Sequence, residues 1–173
     1  EQMIKMGKGD FDQGLQRRRA RMLGSVLEGK DIHSIVDVGC GMGFSLGKLT
    51  QKWPHAQSIG LEMSPIAAEE AKKIDGVEIH HLSFQQAVHE QLWEREQVDI
   101  ITMNHVVEHL IDPRIDLQLA YDQLRIEGVM LIEIPHLDGW GRRWMKKWWW
   151  GHLPPQHIHM FSLCGIESLL KEI

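Results

Sequence analysis

Val36-Asp-Val-Gly-Cys-Gly-Met-Gly43 decides how this chain folds. The apolar run Ile35 to Val38 meets glycines at alternate positions, Gly39, Gly41 and Gly43. A helix-like pattern follows at once, with Leu46, Leu49 and Trp53 on one side. The stretch reads as a buried strand, a tight glycine turn and a helix N-terminus. Such a turn lets a ligand approach bare backbone, and the first turn of a helix offers unsatisfied N–H groups. A second apolar run, Ser58 to Leu61, ends at Glu62, nineteen residues past Gly43. A carboxylate there can accept two hydrogen bonds from a ribose diol.

The loop discriminates between cofactors. The nicotinamide pattern is G-x-G-x-x-G, but this chain has G-x-G-x-G, with Phe44 at the sixth position. Asp37 stands two residues before the first glycine. It would repel a pyrophosphate and attract an ammonium group. S-adenosylmethionine (SAM) carries an ammonium, a sulfonium, a carboxylate and a ribose, and suits the loop better than NAD. Asp-Val-Gly-Cys-Gly-Met-Gly, followed by an acid at the end of the second strand, resembles the class I, Rossmann-like SAM-dependent methyltransferases. Within them the chain is similar to the small-molecule type that acts on ubiquinone precursors and sugars.

Outward from the loop, strands alternate with helices. A helix from about Phe11 to Leu27 carries Leu15, Met22, Leu23 and Val26 at helical spacing, with Arg17, Arg18, Arg19 and Arg21 read mainly as a solvated face. Expected strands are Ile35–Val38, Ser58–Leu61, Val77–Leu82, Val98–Met103 and Val129–Ile134. Expected helices run from Phe44 to Trp53, from Pro65 to about Ile74 behind a Ser64 cap, through Phe84, Val88, Leu92 and Trp93, and from Arg114 to Leu124. Ser162 to Ile173 supplies a last helix. The alternation predicts an α/β fold, a three-layer, doubly wound, mostly parallel sheet in one domain over 1–173. Ligands of such sheets bind outside the carboxyl ends of the strands.

The resemblance also implies residue roles. Asp37, with the Gly39 carbonyl, would draw the ammonium, and Cys40, Gly41 and Gly43 would line the turn. Cys40 reads as a small residue that fits the turn, not a nucleophile. Glu62 would take the ribose, and Met63 would pack on adenine. The family usually has an acid for the adenine amino group after the third strand; this chain departs from it with Ser83, helped by the N–H of Phe84. Asn104 and His105 would line the methionine and methyl end, while Glu108 and His109 tie the following loop. Arg19 is at about the right distance before Asp37 to reach the cofactor carboxylate. Pro155-Gln-His157 before Phe161-Ser162 resembles a segment after strand five, with His157 over the acceptor as orienting residue or base. His105 is the second candidate for that role; His136 and His159 follow. The product would be S-adenosylhomocysteine (SAH).

Composition bounds the alternatives. The 173 residues suffice for one core, and 43% hydrophobic with 25% charged residues is ordinary for a globular domain. The formal net charge of −5 and pI near 6.1 argue against a general nucleic-acid binder. No run of 18 apolar residues, no signal-peptide pattern and two distant cysteines, Cys40 and Cys164, point to a cytoplasmic protein without a membrane span or disulfide framework. His152, His157 and His159 lack a standard zinc spacing, so no metal is expected. Trp140 to Trp150 holds five tryptophans and four cations. It reads as a helix covering the sheet edge, as a cap over the acceptor, or as a peripheral contact with a lipid headgroup layer. The cap would suit a sugar or nucleotide-linked sugar.

The family's closing β-hairpin has no counterpart before Ile173. Either further residues follow, or a partner copy in a homodimer covers the exposed fifth strand. A rival to the enzyme reading is a SAM-binding regulatory or assembly module without an open acceptor pocket.

Overall fold

The computed structural model describes residues 10–139, 144–145 and 157–173, the side chains of 10–13 excepted. It divides into two compact units, with the boundary between Leu82 and Ser83.

The first unit contains α1 (Asp10–Val26), β1 (Ser34–Val38), α2 (Phe44–Lys52), β2 (Gln57–Leu61), α3 (Pro65–Ala71) and β3 (Glu78–His80). β1 pairs parallel with β2, from Ser34 opposite Gln57 to Val38 opposite Leu61, and β2 pairs parallel with β3. Ile35, Val36, Ile59 and Leu61 are 2% exposed or less, as are Leu46 and Leu49 of α2. Burying each such side chain contributes about 1.5–3 kcal/mol.

The buried stripe of α1 differs from the expected one. Gln16, Arg19, Ala20, Leu23 and, just past the helix, Leu27 are buried, whereas Met22 and Val26 face solvent. Arg17, Arg18 and Arg21 are exposed, as a solvated face requires, but Arg19 is buried and donates to Gln16 Oε1 at 2.9 Å. The α3 helix stops at Ala71 rather than Ile74, because Lys73 and Ile74 donate to carbonyls three residues back, a tighter turn. β3 is also shorter than expected, since only Glu78 to His80 find partners on β2.

The second unit contains α4 (Phe84–His89), β4 (Val98–Asn104), a 3₁₀ turn (Val107–His109), α5 (Pro113–Tyr121), β5 (Leu124–Glu133) and α6 (Leu163–Lys171). α4 ends before Trp93, whose indole instead stacks on Phe84 with centroids 6.1 Å apart and donates to Gln123 Oε1. β4 is buried except at Asn104. β5 starts at Leu124, well before the expected Val129, and α5 ends sooner as a result. The cause is a bulge: Leu124 lies opposite Val98 but Val129 opposite Ile100, so the 124–129 stretch bows out, with Glu127 at φ 65°. Leu124 continues the helical spacing of Leu117 in sequence, yet its backbone joins the sheet.

The strand order is β3-β2-β1-β4-β5 in a five-stranded sheet, and the fold is α/β and Rossmann-like. Among the described residues β5 ends that order, and no helix is long and apolar enough to cross a membrane.

Candidate active site

The glycine loop is built from backbone. Gly39, Gly41 and Gly43 have φ of 65°, 56° and 76°, values a side chain would strain. Cys40 N–H donates to Leu61 O and Gly43 N–H to Cys40 O, fixing the turn over the end of β2. Glu62 completes it. Gly41 N–H donates to its Oε2 at 2.8 Å and Ser64 N–H to its Oε1 at 2.7 Å. Both oxygens are thus aimed by main chain, and each keeps a second lone pair for another donor. Beside Glu62, Met63 is largely exposed, and its carbonyl lies 2.7 Å from His81 Nε2.

Asp37 is 1% exposed beneath this loop. Burial first, then the charges of Asp37 and Glu62, push the Cys40 thiol well above its ordinary range, so it stays protonated and inert. A Cβ at Gly60 would sit 2.8 Å from Cys40 Sγ, 2.6 Å from Ile79 Cδ1 and 3.0 Å from Leu46 Cδ2. Gly60 therefore makes room for Cys40 under the turn; an isolated glycine inside an apolar strand was the signal for it.

In the second unit Ser83 caps α4. Its hydroxyl accepts from Gln86 N–H while Gln86 Oε1 accepts from Ser83 N–H, a reciprocal capping box. One lone pair of the hydroxyl is thus already used by the helix. Phe84 is buried behind it.

The carboxyl end of β4 carries ionised groups. His105 adopts φ 56°, the left-handed region that few non-glycine residues enter. Its Nδ1 lies 3.3 Å from Glu108 Oε1 and its Nε2 3.4 Å from Glu133 Oε1. The hydrogen bond to Glu108, then that to Glu133, raises the imidazole from 6.5 to about 9, against burial, which lowers it. With both nitrogens donating, His105 is an imidazolium near neutral pH and has no lone pair with which to act as a base. Sequence reasoning did not single out Glu133. The signal was an acid between Ile132 and Ile134 at the end of an apolar strand.

Glu108 is 1% exposed, and its carbonyl accepts from Ile158 N–H and His159 N–H. The 3₁₀ turn thereby holds the 157–159 segment. The half-buried His157 ring meets His109 edge-on, centroids 4.8 Å apart. His159 Nε2 points to Ile111 O at 3.4 Å, and His136 bridges to Phe161. Ligating atoms of Glu108, His109 and His157 lie within 4.8 Å of one another. The group differs from the three histidines weighed in the sequence, His152, His157 and His159, and shares only His157 with them. His152 and most of Trp140 to Trp150 lie outside the described residues; of that segment, Trp144 and Met145 are exposed. A groove of about 710 Å³ between Arg95, Tyr121, Arg125 and Glu127 contains none of the expected site residues.

Comparison with known proteins shows the family. Residues 9–173 match the family described as "Methyltransferase domain", and the chain belongs to it. It is 29% identical over 105 residues to the trans-aconitate 2-methyltransferase of Enterobacter sp. (strain 638), covering 61% of this chain and 40% of that protein. Against the enzyme of the same name from Azoarcus sp. (strain BH72) it is 30% identical over 118 residues, covering 68% and 45%. The chain thus spans under half the length of these relatives. Among solved structures, the plantazolicin methyltransferase BpumL, in complex with a pentazolic desmethylPZN analog and SAH, superposes with a TM-score of 0.75 at 18% identity. That match covers 99% of this chain and 66% of the other.

Proposed function

We infer that this chain, as one domain, binds SAM and transfers its methyl group to a small-molecule acceptor, releasing SAH. The observation that carries the reading is the Glu62 carboxylate, held by Gly41 and Ser64 N–H groups beside three left-handed glycines. Fixed carboxylate oxygens are pre-oriented for vicinal hydroxyls, and bare backbone admits the methionine moiety. Asp37 supplies negative charge under the loop for the ammonium, with Met63 beside the adenine. Ser83 and Phe84 N–H serve the adenine edge, and Asn104 the methyl end.

The reaction is a displacement at carbon. The acceptor's lone pair forms a bond to the methyl group, the carbon–sulfur bond breaks, and its electron pair returns to sulfur. The donor is already activated, so the protein chiefly aligns the partners. Where the acceptor loses a proton, our reading gives its removal to His157. The acceptor class rests on sequence alone. The tryptophan- and cation-rich segment supports a ring with an anionic group, such as a nucleotide-linked sugar, whereas the curated relatives are named for trans-aconitate. The reading implies a reducing, cytoplasmic setting, consistent with two free cysteines, and a partner copy or further chain over the edge of β5.

Calorimetry with SAM, SAH and NADH tests the cofactor: SAM and SAH should bind and NADH should not. Turnover of labelled SAM against a small-molecule extract tests the transfer. Binding without any turnover would leave a SAM-binding module instead.

A further inference from the structure

Three charged side chains from separate positions meet at the carboxyl end of β4. His105 directly follows the last residue of β4, Glu108 lies within the 3₁₀ turn, and Glu133 closes β5. Each ring nitrogen of His105 faces a different carboxylate, at 3.3 and 3.4 Å. The His105 N–H also donates to the Glu133 carbonyl at 2.8 Å, so main chain and side chain hold the same pair. A left-handed backbone at a histidine persists only where its surroundings over-determine it, and such outliers gather at functional sites. Glu108 in turn carries the 157–159 segment on its carbonyl oxygen.

We propose that Glu133 is a positioning residue for methyl transfer: together with Glu108 it clamps His105 as a fixed imidazolium, and this clamp, through Glu108, holds His157 in place. The role in transfer rests on the function inferred above; the clamp itself does not. The charged groups facing His105 include Glu108 from the 3₁₀ turn and Glu133 from β5. The sign follows from the charges. His105 is raised in the folded protein, so its contribution is complete below about 6.5 and is lost as pH rises through about 9. Loss of the proton leaves two carboxylates facing a ring with only one N–H, and one of them must let go. Turnover should therefore carry a descending limb near pH 9.

The test is histidine-labelled NMR on the whole chain, with a pH profile of turnover beside it. In the wild type, both His105 nitrogens should be protonated at pH 7.5, and the ring should titrate near 9. Glu133→Gln should lower that titration by about one unit or more and move the alkaline limb with it. His105→Gln should remove the limb. Glu133→Asp, which keeps the charge, should restore part of the shift. Should Glu133→Gln fail to fold, the wild-type protonation pattern decides by itself. A His105 that titrates near 6.5 in the wild type, or is unmoved by Glu133→Gln, overturns the clamp. An alkaline limb that stays fixed while the titration shifts overturns the positioning role. Failure of SAM to bind with the clamp intact would count against the inferred function alone.

Discussion

Two groups of candidate site residues, one in each unit, are built from different materials. The loop after β1 is main chain: it carries three left-handed glycines, and the Glu62 carboxylate is gripped by the N–H groups of Gly41 and Ser64. The end of β4 is side chain, with an imidazolium between two carboxylates that are 3 and 28 positions away in sequence (108 − 105 and 133 − 105). Main-chain geometry has no proton to lose near neutral pH, so the loop should behave alike from mildly acid to mildly alkaline solution. The charged end should not. If the proposed roles hold, the contrast separates binding from transfer: cofactor affinity should be insensitive to pH, and turnover should follow the titratable part.

Four substitutions put that contrast to the test, strongest first. Gly60→Val puts methyl groups where Cys40, Leu46 and Ile79 already sit, and should lower stability by about 3 kcal/mol, read as a loss in melting temperature. Glu62→Ala should weaken SAM binding by about 1–3 kcal/mol through unpaired ribose hydroxyls, with the same loss in calorimetry at pH 6 and pH 8. An unchanged affinity would remove Glu62 from the ribose. His157→Ala should lower kcat about tenfold while leaving the Kd for SAM within twofold, a modest effect for a lost orienting group or base. The reverse split would take His157 off the acceptor side. Ser83→Ala should cost about 1 kcal/mol of stability through the lost cap and change SAM affinity little. A large loss of affinity there would mean that the hydroxyl serves adenine after all.

The loop and its carboxylate were legible because their causes are local. Alternate glycines after an apolar run, and an acid at the next strand end, carry their geometry with them. Parallel strands buried on both faces, such as β1 and β2, announce themselves as apolar runs. Much of what escaped was set by partners distant in sequence. Leu124 keeps helical spacing with Leu117 but pairs with Val98, because the bulge in β5 takes up the extra residues. Met22 and Val26 satisfy the helical period yet face water, while Arg19 turns inward to Gln16. His105 looked like a base because histidine usually titrates near neutrality. Two carboxylates, one of them in another strand, move it out of that range.

The bridge between His136 and Phe161, with Leu137 N–H donating to Phe161 O, staples the chain where it leaves β5 and where it returns ahead of α6. A staple of this kind keeps the cost of inserted residues small, since a flexible loop between two fixed ends costs only about 0.6 kcal/mol more per doubling of its length. Insertions between the two ends would leave the bridge itself, and the start of α6, where they are.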